Sequence, residues 1–183
     1  MAATYTILAS AVTHSTAFKC YLQLFKDATS TLTVKVYRVY LINANIAAVT
    51  GVLPVISLSS ISTASSAGAP STITPIKHDT NSATITSGSG GFTINSGNTT
   101  TGTVVNTYRR LTYASDEYVV SGSKIENFYG LVPYSILWDS GYGDSAIEPL
   151  TLPASTAGGI MISSAGIASA AGNVDVVIEF TAE

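Results

Sequence analysis

The sequence predicts an all-β protein: a single β-sandwich or jelly-roll-like domain over residues 1–183, with long Ser/Thr/Gly-rich loops. Three observations lead there. The apolar residues recur with a period of two, not 3.6, wherever a period can be read. The runs that carry this period are rich in Val, Ile, Tyr and Thr, which suit a pleated, half-buried surface. Short clusters of Gly, Asp, Asn, Ser and Pro then punctuate the chain, as in sandwiches and barrels.

In chain order the first strands are Tyr5–Val12 and Cys20–Phe25, followed by the turn Asp27-Ala28-Thr29-Ser30. Leu32-Thr33-Val34-Lys35-Val36 alternates, and Tyr37 to Ile42 turns apolar on both faces, the pattern of a strand that ends fully covered. Val49–Leu58, Thr72–Ile76, Gly91–Asn95, Val104–Tyr113 and Glu117–Val120 follow, then Leu131–Trp138, Leu150–Leu152 and Gly159–Ile162. The clearest strand is the last: Val174, Val176, Ile178 and Phe180 point one way, and Asp175, Glu179 and Thr181 the other. Ser123–Tyr129 has room for a turn or two of helix, with Ser123 as cap and Glu126 three residues on. Residues 79–103 hold few large hydrophobes and much Gly, Ser, Thr and Asn, which predicts a flexible insertion or long hairpin. Ser59–Ser71 and Ala154–Gly172 are further small-residue tracts, and none of the three marks a domain boundary.

Charged residues make up only 10% of the chain, against roughly 25% in an ordinary soluble domain. Ser and Thr supply about a quarter of it, so hydroxyls must cover much of the surface. Either the strands present Thr to water, or part of the exterior is buried in an assembly. A net charge of −3 and scattered cations give nucleic acid and anionic membranes no field to follow, so neither is an expected partner. Apolar runs fall short of the ~18–20 residues of a membrane helix. The N-terminus lacks the basic start of a signal peptide, so synthesis in the cytoplasm is expected. The lone Cys20 has no partner for an intrachain disulfide and sits in an apolar run, as a buried strand thiol does.

No pattern predicts catalysis. His14 and His78 are far apart, lack metal-ligand spacing, and are expected on the surface or in loops. GxSxG is absent, and the glycine run Ser87–Gly91 lacks the Lys of a phosphate loop. Asp139-Ser140-Gly141-Tyr142-Gly143-Asp144 brings acids and glycines together without the spacing of an EF-hand, so a tight loop is preferred to a Ca²⁺ site. Paired acids for glycan cleavage would need an aromatic cleft, and Trp138 is the only tryptophan. No catalytic, cofactor-binding or metal residues are therefore expected. The ten tyrosines do stand out. Tyr37, Arg38 and Tyr40, with Tyr108, Arg109 and Arg110, form the candidate interface, because Tyr and Arg bury area while keeping a polar tip paired. The alternative is that these aromatics cap the core.

The succession VYRVYLINANIAAVTGVLPVISLSSIS, TPIKHDTNSA, YRRLTYASDEYVVSG, LVPYSILWDSGYGDSAIEPLTLPA and GNVDVVIEFTAE resembles a group of virion structural proteins of tailed bacteriophages, over most of residues 34–183. The order of Lys77–Asp79, Arg109-Arg110, Trp138–Gly141, Pro149–Leu152 and Ile178–Thr181 carries the resemblance. It implies a particle component and supplies no catalytic residue. The expected function is that of a capsid decoration (cement) protein in the virion, assembled with itself, as a trimer for preference, and with other virion proteins such as the major capsid protein. A tail, baseplate or fibre-tip component that meets a host receptor is the alternative, and a carbohydrate-binding module the remote one.

Overall fold

The computed structural model describes residues 2–44, 54–113, 134–140, 147–167 and 172–183. The expected strand at Glu117–Val120, the helical turn at Ser123–Tyr129 and the loop from Gly141 to Asp144 lie outside the described residues.

Among the described residues every regular element is a strand. They are β1 (Ala3–Thr13), β2 (Lys19–Lys26), β3 (Val34–Asn43), β4 (Val55–Ile61), β5 (Ser66–Thr72) and β6 (Ile76–Lys77). There follow β7 (Phe92–Thr100), β8 (Val104–Thr112), β9 (Tyr134–Asp139), β10 (Leu150–Leu152), β11 (Gly158–Ser164) and β12 (Asn173–Ala182). They form two antiparallel sheets. One runs β10-β3-β12-β1-β6, with β9 also pairing β3, and the other runs β5-β7-β2-β11-β4-β8.

The period of two explains the packing. From the first sheet Tyr5, Ile7, Val36, Val39, Leu41, Val176, Ile178 and Phe180 face inward, and from the second Leu22, Leu24, Ile56, Leu58, Ile94, Ile160 and Ile162 meet them. Each such aliphatic side chain gains about 1.5–3 kcal/mol by leaving water, which makes this layer the main source of stability. Tyr5 stacks on Phe180 with ring centroids 5.2 Å apart, and its hydroxyl donates to the Ala83 carbonyl at 2.8 Å. β12 lies between β3 and β1, so the strand most legible in the sequence is central to its sheet.

The second sheet also hides part of its outer face. Cys20, Phe25, Ile61 and Met161 pack there, with Phe18 and Ala64 against them. The connection 62–65 from β4 to β5 crosses this face beside 101–103, the connection from β7 to β8. Ser62 N–H donates to the Thr103 carbonyl (2.9 Å), and Ser65 Oγ–H to the Thr100 carbonyl (2.6 Å). A buried Gln23 anchors the crossing: its amide oxygen accepts from Ser65 N–H at 2.8 Å, and its Nε2 donates to the Ser65 carbonyl at 3.0 Å and to Asn95 Oδ1 at 2.8 Å.

Two expectations change here. Residues 79–103 are not one flexible insertion or long hairpin. Residues 79–91 are turns, bends and irregular chain, but Phe92–Thr100 is β7, paired on both sides with β2 and β5. Phe92 and Ile94 enter the main core; after Gly97, whose φ of 86° suits glycine, Asn98 joins Asn95 in the polar layer under the crossing. Likewise the small-residue tract Ser59–Ser71 contains the end of β4 and most of β5, while residues 73–75, expected within a strand, link β5 to β6.

Candidate functional site

β8 closes one edge of the second sheet, and among the described residues only β4 pairs with it. All residues from Val104 to Arg110 are exposed, including Val104 (45%), Val105 (59%) and Tyr108 (43%). The register with β4 shifts twice, at Tyr108 and at Val105, so both residues are bulged out of the ladder. A bulge re-aims its side chain. The Tyr108 ring reaches the Trp138 indole of β9, with centroids 5.8 Å apart and planes tilted by 56°. This contact joins the edges of the two sheets.

Trp138 packs partly on the main core and also lines a cavity of about 320 Å³ on the outer face of the first sheet. The register builds this cavity. Arg38 on β3 stands opposite Glu179 of β12 on one side and Asp139 of β9 on the other. Its Nε lies 3.4 Å from Asp139 Oδ1 and its Nη1 3.7 Å from Glu179 Oε2. Cross-strand pairs of opposite charge stabilise a sheet by roughly 0.2–1 kcal/mol each. Tyr40, Ile42 and Ile136 complete the wall. Burial raises the pKa of the Tyr40 phenol; the Glu179 carboxylate adds to this and Arg38 opposes it. The indole N–H of Trp138 is buried and has no acceptor among the described residues.

The candidate interface residues thus fall into two groups. Arg38 and Tyr40 belong to the cavity. Tyr37 is the bulged residue beside them, its carbonyl accepting from Ser140 N–H at 2.9 Å. Tyr108, Arg109 and Arg110 lie on β8, and the Tyr108–Trp138 contact links the groups. Trp138, Asp139, Glu179 and Ile136 were absent from the sequence-based set. The available signal was the out-facing position of Glu179 on the last strand, since such an acid seeks a cation on a neighbouring strand.

His78 is exposed as expected, and its Nε2 is 2.7 Å from Thr6 Oγ1. His14 lies in the connection from β1 to β2, as expected of a loop histidine, but it is buried there (2% exposed), with Nδ1 2.8 Å from the Tyr21 hydroxyl. A polar ring can be hidden there because Tyr21 partners it. Burial pushes the imidazole down to about 4, and the Lys19 ammonium adds to the effect. Cys20 is buried as expected, which pushes its thiol up to about 12 and leaves it inert at neutral pH. Among the described residues no three His, Cys, Asp or Glu side chains converge as metal ligands, and no helix is long and apolar enough to cross a membrane.

No protein-family model, curated protein or solved structure matches the chain.

Proposed function

We propose that this protein is a structural component of a tailed-phage particle, a capsid decoration protein that acts through protein–protein contacts. The observation that carries the reading is β8: a nine-residue edge strand, exposed from Val104 to Arg110, with Val104, Val105 and Tyr108 turned to solvent beside Arg109 and Arg110. Tyr and Arg are enriched at interfaces, and an edge strand with apolar side chains is a surface that assembly covers. The scarcity of charge fits a chain whose exterior is partly hidden by neighbours, and the sequence resemblance supplies the particle. The partners are further copies of the chain, preferably as a trimer, and the major capsid protein.

The test is sedimentation of the purified protein at micromolar concentration, alone and mixed with empty heads. Association is expected in at least one of the two, and Val105→Lys should weaken it. A folded chain that stays an 18.9 kDa monomer in both would refute the reading. Copy number in purified particles separates the positions: on the order of hundreds of copies means the capsid and a handful means the tail, since copy number follows particle symmetry.

A further inference from the structure

We infer that β8 docks an acidic segment of a different protein, one that carries carboxylates beside apolar side chains. The inference rests on the reading of β8 as an interface and adds the chemistry of what covers it. Charge pairing carries it. Among the described residues Lys35 pairs with Glu183, and Arg38 with Asp139 and Glu179. Lys19, Lys26 and Lys77 donate to backbone carbonyls at 2.8–3.1 Å. Of the described Lys and Arg side chains, Arg109 and Arg110 alone have neither an anion nor a carbonyl, and both are exposed. The reason lies in β4: VISLSSI, the one described strand that pairs with β8, carries no charge. Arg109 stands opposite Leu58 and Arg110 opposite Ser57, so the two guanidinium groups leave opposite faces of the strand. Val104, Val105 and Tyr108 are exposed just before them. An occupant of this edge therefore meets apolar surface along one part and a cation on each face of the next. A guanidinium is forked to take a carboxylate through two parallel N–H···O bonds, so an acidic partner fits. Nucleic acid also brings anions, but its affinity comes from many phosphates meeting many cations, and its backbone would leave the two valines uncovered. A second copy fits worse. Setting β8 against β8 brings four guanidinium groups together, and like charges across an interface are unfavourable. Nor does the described surface offer a matching face. Asp139, Glu179 and Glu183 hold Arg38 and Lys35, and Asp27, Asp79 and Asp175 each accept a backbone N–H, which leaves Glu148 alone among the described acids.

The full-length protein is titrated into a fluorescein-labelled peptide of about eight residues in which Glu alternates with Val and Tyr, and fluorescence anisotropy is read. Counterparts with Gln or Lys in place of Glu, and a DNA duplex of about twelve base pairs, are the controls. Saturable binding of the acidic peptide is expected below about 1 mM, the range of a weak single-site contact, and about tenfold tighter than that of any control. It should weaken about tenfold between roughly 50 and 500 mM salt, because exposed charges are screened. The double variant Arg109→Gln, Arg110→Gln should weaken it about tenfold, and Val105→Ser severalfold, with unchanged melting transitions because all three side chains are exposed. The inference is overturned if the acidic peptide does not bind, if a control binds as tightly, or if the arginine variant binds as the parent does. Self-association in sedimentation that the arginine variant loses would assign the surface to a second copy, and would overturn it equally. Empty heads separate this inference from the reading beneath it. Heads that bind the parent and the arginine variant alike refute the acidic partner and leave the particle reading standing. An acidic peptide that binds while heads do not refutes the particle reading and leaves the acidic partner standing.

Discussion

Acid should destabilise this fold through His14, and the size of the effect can be worked out. The imidazole is buried against Tyr21, with Lys19 as the nearby cation, and its pKa falls from 6.5 to about 4. Above pH 6.5 the ring is neutral in both the folded and unfolded states and contributes no pH dependence. As the pH falls below 6.5 the unfolded chain takes up a proton that the folded one refuses, so stability is lost until the folded pKa is reached. Linkage gives a loss of about 1.4 kcal/mol at pH 5.5, about 2.5 kcal/mol at pH 4.5, and a limit of about 3.4 kcal/mol. Urea unfolding at pH 7.5, 5.5 and 4.5 measures it, with His14→Gln run in parallel so that the carboxylates and His78 cancel in the difference. The parent should lose about 2.5 kcal/mol more than the variant between pH 7.5 and 4.5. Equal losses in the two proteins would show that His14 gains a proton in the folded state as easily as in the unfolded one, and would refute the burial argument.

Ile178→Asp places an unpaired carboxylate in the fully buried centre of β12 and should abolish cooperative folding; soluble protein with a sharp thermal transition would contradict the core assignment. Ile94→Ala on β7 should lower stability by about 2–5 kcal/mol in urea titration, whereas a flexible 79–103 segment would show almost no change. Gly159→Ala should cost about 1–3 kcal/mol by the same measurement, because the new Cβ would stand 2.6 Å from the Leu24 carbonyl oxygen in the adjacent strand. Lys26→Met should be neutral within about 1 kcal/mol or stabilising, since the buried ammonium has the Thr156 carbonyl at 2.9 Å to offset its lost hydration.

The elements legible in the sequence were those that bury apolar side chains. β12 and β1 alternate because one face of each meets the core, and Leu150–Leu152 was placed to the residue. β7 was hidden for a physical reason. Beyond Phe92 and Ile94 the groups it buries are polar: Ser96 and Asn98, with Asn95 hydrogen-bonded to Gln23 under the crossing segment. A strand satisfied by amides and hydroxyls has the composition of a loop. β5 is harder still, since SAGAPST is exposed along its whole length and becomes a strand only because β7 lies beside it. The candidate site was half legible. Tyr and Arg stood out as residue types, yet the grouping of Arg38 with Asp139 and Glu179 depends on strand order and register, which no local pattern encodes.

The two edges of the β5–β8 sheet are unequal, and the inequality bears on how copies of the chain can join. β5 carries Pro70, left-handed Ala67 and Gly68, and a register shift between Gly68 and Ser71. Proline withholds a donor and a bulge bends the edge, so a partner strand cannot extend the ladder there. β8 has no proline and presents Val104, Val105 and Tyr108, but its two bulges interrupt a straight run of free donors and acceptors, and Arg109 and Arg110 add like charge. Strand addition along its full length is therefore disfavoured, while contact through the re-aimed side chains is not. Open-ended growth needs two complementary edges, one at each side of the sheet. With β5 blunted and β8 bulged, edge-to-edge stacking through this sheet is disfavoured at both of its described edges.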